Sequence, residues 1–201
     1  MCGFAGFVGE VENREQVLEN MIDTIIHRGP DSSGKFVDED AALGFRRLSI
    51  IDLSESGDQP LYNEDRSKVL VFNGEIYNYQ ELREELIQAG HTFVSNTDSE
   101  TLIHGYEQWG EELVYRLRGM YAFAIWDQKA KRLFSARDIF GIKPLYYAQM
   151  NGTLMFGSEI KSFLEHPKFD KVFNEDALGN YLSFQFVPTN ETFFKGVFCV
   201  Q

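Results

Sequence analysis

The chain has 201 residues, 43% of them apolar, and a formal net charge of −12 from 19 basic and 31 acidic side chains. That length suits one domain with a substantial core, and the acidic balance, with only short basic groups such as Arg46-Arg47, argues against a nucleic-acid surface. Only Cys2 and Cys199 are present, too few for a disulfide framework and without paired Cys or His spacings, so no metal site is expected and a reducing cytoplasm is the simplest setting.

Cys2 stands where removal of Met1 would expose a thiol and a free α-amine on one residue. An α-amine, with a pKa of about 7.7–8.0, can take the thiol proton near neutrality, making a nucleophile with its own base. From this stretch alone Cys2 reads equally well as a small buried hydrophobe behind a retained Met1. Residues 3–9 alternate small and bulky side chains, a strand that would hold the terminus rigidly. Asn13 and Gln16 resemble a capping box before an amphipathic helix through Val17, Leu18, Met21, Ile22, Ile25 and Ile26. Gly29, Pro30 and Asp31 then force a loop over residues 27–34.

Residues 42–51 read as a strand, 52–60 as a loop and 69–72 as a buried strand. The Asn73-Gly74 pair that follows is the strongest short hairpin signal, and a plain turn is its structural reading. A helix over 80–89 ends at Gly90. Residues 91–94 read as a strand, and the polar run 95–100 can cap a helix carrying Leu102, Ile103, Tyr106 and Trp109, with Asp98 as the cap. Strands at 121–126 and 133–136 flank a turn. Residues 137–144 form a structured loop, 145–149 and 153–156 pair through Asn151-Gly152, and short helices follow near 159–164 and 176–182. Many short strands with a few helices between them argue for an α+β class with antiparallel sheets. No apolar run approaches the roughly 18–20 residues that span a bilayer, and residues 1–10 do not form a secretory signal, so the protein reads as soluble and not membrane-bound.

With Cys2, Arg47, Asn73-Gly74-Glu75 and Asp98 laid out, the sequence resembles the N-terminal glutaminase domain of glutamine-hydrolysing asparagine synthetases, class II amidotransferases of the N-terminal-nucleophile type. Further blocks match in order and spacing: His27-Arg28-Gly29-Pro30-Asp31, Gln59-Pro60-Leu61, Arg137-Asp138 with Gly141-Ile142-Lys143-Pro144-Leu145-Tyr146-Tyr147, and Ser158-Glu159-Ile160-Lys161. Each block is weak and the set is specific.

The resemblance implies a four-layer αββα fold of two stacked antiparallel sheets flanked by helices, with one domain over residues 2–201. It also implies roles. Cys2 would attack the side-chain amide of L-glutamine, with Asn73 and the Gly74 N–H as oxyanion donors. Arg47 would hold the α-carboxylate and Asp98 the α-ammonium, with Leu48, Ser49, Ile50, Ile51 and Glu75 completing the glutamine pocket. Ordinary ion pairing for Arg47, a turn for Asn73-Gly74 and a helix cap for Asp98 stand against these roles one by one. Phe45 and Ile139 depart from the usual family residues at positions outside the implied site. No cofactor is expected in this chain. It lacks a pyrophosphate or Walker A loop, so ATP and magnesium belong to a C-terminal synthetase domain toward which roughly the last ten residues would lead. The oligomeric state, a homodimer included, is left open. Three rivals remain: an amidotransferase of the same family acting on another acceptor, an N-terminal-cysteine acylase or peptidase for another amide, and a non-catalytic interaction module.

Overall fold

The computed structural model describes residues 1–48 and 58–201. Strands β1 (Gly3–Val8), β2 (Ser32–Val37), β3 (Ala41–Arg47), β4 (Leu61–Tyr62), β5 (Lys68–Ile76), β6 (Gly119–Asp127), β7 (Arg132–Arg137), β8 (Tyr146–Met150), β9 (Thr153–Gly157) and β10 (Val197–Cys199) alternate with helices α1 (Arg14–Asp23), α2 (Tyr79–Gln88), α3 (Asp98–Trp109) and α4 (Glu175–Phe184). They form a six-stranded sheet, β10-β8-β9-β1-β3-β2, and a four-stranded sheet, β4-β5-β6-β7. All the strand pairs are antiparallel.

Period-two alternation sorts the side chains into layers. Phe4 of β1, Leu43 and Phe45 of β3, Val69 and Val71 of β5 and Ala122, Ala124 and Trp126 of β6 fill the space between the sheets. The opposite face of the six-stranded sheet, through Ala5 and Phe7, packs on Leu18, Met21 and Ile22 of α1 and on Phe163. The opposite face of the four-stranded sheet, through Leu70, Phe72 and Ile76, packs on Leu82 of α2 and Leu102 and Ile103 of α3. The result is the αββα sandwich that the resemblance implies. Each fully buried Phe or Leu contributes about 1.5–3 kcal/mol of transfer free energy, so the strands that reach the site are its most firmly held parts.

Several local expectations give way to long-range pairing. Asn73-Gly74 is not a hairpin turn. Both residues lie inside the nine-residue β5, opposite Ala122 and Tyr121 of β6. Residues 91–94 are not a strand, because the N–H groups of Val94 and Ser95 donate to the carboxylate of Glu100, 2.7 Å in each case, instead of to a neighbouring strand. Residues 32–37, within and beyond the expected loop, form the edge strand β2, and residues 61–62 add the short β4, which the sequence does not announce. Asn13 adopts a left-handed backbone (φ 52) and makes no side-chain cap. Gln16 donates along the helix to Asn20. The C-terminal part of the expected strand 42–51, including Ser49, Ile50 and Ile51, lies outside the described residues.

His166 sits beneath β1 with its ring against Phe7, 4.8 Å between centroids. Its Nδ1 accepts the Lys168 N–H at 3.2 Å, and its Nε2 is buried with no partner among the described residues. Burial, with a smaller push from Lys168, lowers its pKa to about 4. The unfolded chain therefore binds the extra proton between about pH 6.5 and 4, and stability falls as pH falls through that window, by roughly 2–3 kcal/mol in all. In His166→Asn the urea midpoint should drop less between pH 7 and 4.5 than in the wild type. Equal drops would remove His166 from the acid response.

Candidate active site

Cys2 lies just before β1, and the register Gly3 opposite Arg46 brings it beside the end of β3. Its Sγ is 3.4 Å from the Leu48 N and 3.6 Å from the Leu48 carbonyl oxygen. Its own carbonyl accepts the Arg28 Nε–H at 3.0 Å, and Arg28 Nη1 is held by Glu159 Oε1, also at 3.0 Å. Burial alone would raise the Glu159 pKa, but Arg28, His27 and Lys161 outweigh it and lower it. Gly3 makes the clamp possible: a Cβ there would lie 2.8 Å from Arg28 Cδ and Nε. One residue along, Ser158 Oγ accepts the Phe4 N–H and the Ser158 N–H donates to the Phe4 carbonyl. The nucleophile candidate is thus held on both sides by backbone and charge.

The second cluster is the C-terminal half of β5, a strand of the four-stranded sheet that packs against β1 of the other sheet. The alternation that points Val69 and Val71 between the sheets turns Asn73 to the same face. Asn73 is 3% exposed, and its Nδ2 has no hydrogen-bond partner among the described residues. A buried amide donor left unpaired costs about 1–3 kcal/mol, which marks a position kept for something other than stability.

Among the described residues β4 pairs with residues 69–70 of β5 and no strand pairs with the edge beyond. Along that edge the Phe72 N–H donates to Gln59 Oε1 at 2.6 Å and the Ile76 N–H to Asp98 Oδ2 at 2.8 Å. N–H groups two apart point the same way, so the N–H of Gly74 faces the same edge, between those two. A Cβ on Gly74 would lie 2.3 Å from the Met120 carbonyl oxygen, so glycine is required.

Asp98 is the first residue of α3; its carboxylate meets the N–H groups of Asp98 and Ser99 at the helix start and also reaches back to the Ile76 N–H of β5. Burial raises its pKa, and the nearby Glu75 raises it further, against the N–H groups of Ile76, Asp98 and Ser99. Arg47 is 8% exposed, and its Nη1 donates to Asp58 Oδ1 at 2.8 Å, so the ion-pair reading is realised whatever else it binds. The structure therefore joins Cys2, Leu48 and Arg47 in one cluster and Asn73, Gly74, Glu75 and Asp98 in another. Sequence reasoning gave no role to Arg28, Ser158 or Glu159, although all three stand in the blocks that carry the resemblance.

The sequence model of the glutamine amidotransferase domain matches residues 1–201, the whole chain. The chain belongs to the glutamine amidotransferase family. Asparagine synthetase [glutamine-hydrolyzing] 1 of Bacillus subtilis is 48% identical over 197 residues, which is 96% of this chain and 31% of that protein. A putative glutamine-hydrolysing asparagine synthetase of Mycobacterium tuberculosis is 43% identical over 219 residues, 98% of this chain and 33% of that protein. The amidotransferase domain thus spans about a third of the length of these relatives. Among solved structures, the glutamine phosphoribosylpyrophosphate amidotransferase of B. subtilis superposes with a TM-score of 0.71 at 21% identity, over 86% of this chain and 45% of that one. At that identity the likeness is one of fold, and it agrees with the αββα layering. Among the described residues no helix is long and apolar enough to cross a membrane.

Proposed function

We propose that this domain hydrolyses the side-chain amide of L-glutamine through Cys2 and passes the ammonia to a synthetase domain that makes asparagine. The observation that carries the reading is the buried, unpartnered donor on Asn73, a group with no structural use, and a Cys2 whose backbone is clamped by Arg28 supplies the nucleophile. Met1 is 56% exposed, open to removal. The freed α-amine then takes the thiol proton, and Sγ forms a bond to the amide carbon. The oxyanion that develops is held by Asn73 Nδ2 and the Gly74 N–H. The ammonium of Cys2 gives its proton to the departing nitrogen as the carbon–nitrogen bond breaks, leaving a thioester. Water, deprotonated by the same amine, cleaves the thioester to glutamate and free thiol.

In the same reading Arg47 holds the α-carboxylate and Asp98, with Glu75 beside it, the α-ammonium. Leu48 fixes the thiol, and Ser49, Ile50 and Ile51, outside the described residues, stay assigned to glutamine binding by the resemblance alone. A free amino acid needs this cation and anion pair; a general acylase does not. Acceptance of glutamine over N-acetylglutamine separates the two. The asparagine branch is supported by the names of the relatives, and the two-thirds of their length beyond this match leaves room for the ATP- and magnesium-using half. Ile139 and Phe140, in the loop after β7, are 92% and 85% exposed and offer an apolar face for that half. A cytoplasmic setting follows from the same reading.

Asp98→Asn tests the ammonium site. The KM for glutamine should rise at least about tenfold, since a charge-assisted bond of about 1.5–3 kcal/mol is lost, while kcat changes little. Because the raised pKa of Asp98 brings its protonation nearer neutrality, the wild-type KM should climb as pH falls, and this climb should be absent in the variant. An unchanged glutamine dependence would remove Asp98 from the pocket.

A further inference from the structure

We infer that the domain carries a structural zinc site, built from Glu64, His91, His104 and Glu107 and separate from the Cys2 chemistry. The four side chains come from three segments: the turn between β4 and β5 (Glu64), the connection after α2 (His91) and one face of α3 (His104 and Glu107). Their ligating atoms all lie within 4.8 Å of one another. His104 Nδ1 is 3.3 Å from Glu107 Oε2 and 3.6 Å from Glu64 Oε1, and His91 Nδ1 is 4.0 Å from Glu107 Oε2. A tetrahedron with bonds of about 2.1 Å has edges of about 3.4 Å, so small side-chain shifts close the shell.

What distinguishes this group from a cluster of surface acids is its outer layer. His91 Nε2 lies 3.2 Å from Gln108 Oε1, which leaves Nδ1 with its lone pair toward the centre. His104 is 2% exposed, and its Nε2 faces Glu100 Oε1 at 3.6 Å. Glu107 Oε1 accepts Asn63 Nδ2 at 2.7 Å, leaving Oε2 for an ion. The inner atoms of His91, His104 and Glu107 thus converge, and the outer atoms of His91 and Glu107 meet polar partners, as second-layer groups that orient metal ligands do, while His104 Nε2 faces the Glu100 carboxylate without a hydrogen bond. Two imidazoles with two carboxylates suit zinc and its transition-metal neighbours rather than magnesium or calcium. A cleft of about 440 Å³ lined by Glu64, Thr92, Glu100 and His104 gives access from solvent. Bound there, zinc would tie α3, whose first residue is Asp98, to the β4–β5 turn.

The rival account is an imidazolium at His104 held by the same carboxylates, which would bind no ion. The test is a zinc titration of the chelator-stripped 201-residue chain against a chromophoric chelator. It is done in the Cys2→Ser background, because a terminal cysteine itself chelates zinc. One equivalent should bind, unaffected by millimolar magnesium, and Glu64→Gln and His91→Asn should each weaken it at least about tenfold. Glu64 is exposed, so its variant should fold normally, as a melting curve without zinc would verify. Failure to bind zinc at roughly 10 µM, or an equivalent that neither variant weakens, would overturn the site.

Discussion

Replacing Cys2 with alanine should abolish glutamine hydrolysis, lowering ammonia release by at least about 10⁴-fold, because no other nucleophile in the chain carries its own base. The alternative role for Cys2, a buried hydrophobe, makes the opposite demand. It would leave turnover intact and lower stability. Cys2 is only partly buried, at the edge of the inter-sheet core, and among the described residues its thiol hydrogen-bonds the Leu48 backbone alone. The melting temperature of Cys2→Ala should therefore stay within a few degrees of wild type. A variant that melts normally and still releases ammonia would end the covalent account.

Asn73→Ala should reduce kcat by roughly 10²–10³, about 2.7–4 kcal/mol, with little change in KM, since the oxyanion exists only along the reaction path. Its stability should move the other way from an ordinary core truncation. Asn73 is 3% exposed, yet its Nδ2 makes no hydrogen bond in the described structure, so alanine removes a desolvated donor rather than a contact. Stability should hold or rise while activity collapses, the trade expected of a residue kept for function. Unfolding curves in urea beside the rate assay check both halves. A variant that loses stability and activity together would make Asn73 structural.

Much of the fold was legible where periodicity was strong. The helix through Val17, Leu18, Met21 and Ile22, the buried run 69–72, and the hairpin through Asn151-Gly152 all stand where residue pattern places them. What failed was local chemistry overruled by distant partners. Asn73-Gly74 reads as a turn only when β6 is out of view, and its place inside a strand is what presents one donor between the sheets and another along the edge away from β6. Asp98 reads as a cap, and it does meet the first N–H groups of α3, but its bond to Ile76, 22 residues away in sequence, is nowhere in the local pattern.

The site was legible in its identities, because a family resemblance spans the chain, but not in its supports. Nothing in the spacing of Arg28 and Glu159 says that they meet at the carbonyl of Cys2. The cluster of Glu64, His91, His104 and Glu107 was equally invisible, since its members have no ligand spacing and are gathered by the packing of α3 against β4 and β5.

The most direct test of the account is the intact mass of the protein, followed by peptide mapping, after exposure to a glutamine-mimicking diazoketone with and without excess glutamine. The account predicts a single adduct on Cys2, in a chain that has lost Met1, with glutamine protecting against it. A folded, processed chain that takes no adduct on Cys2, or takes one that glutamine does not prevent, would contradict it.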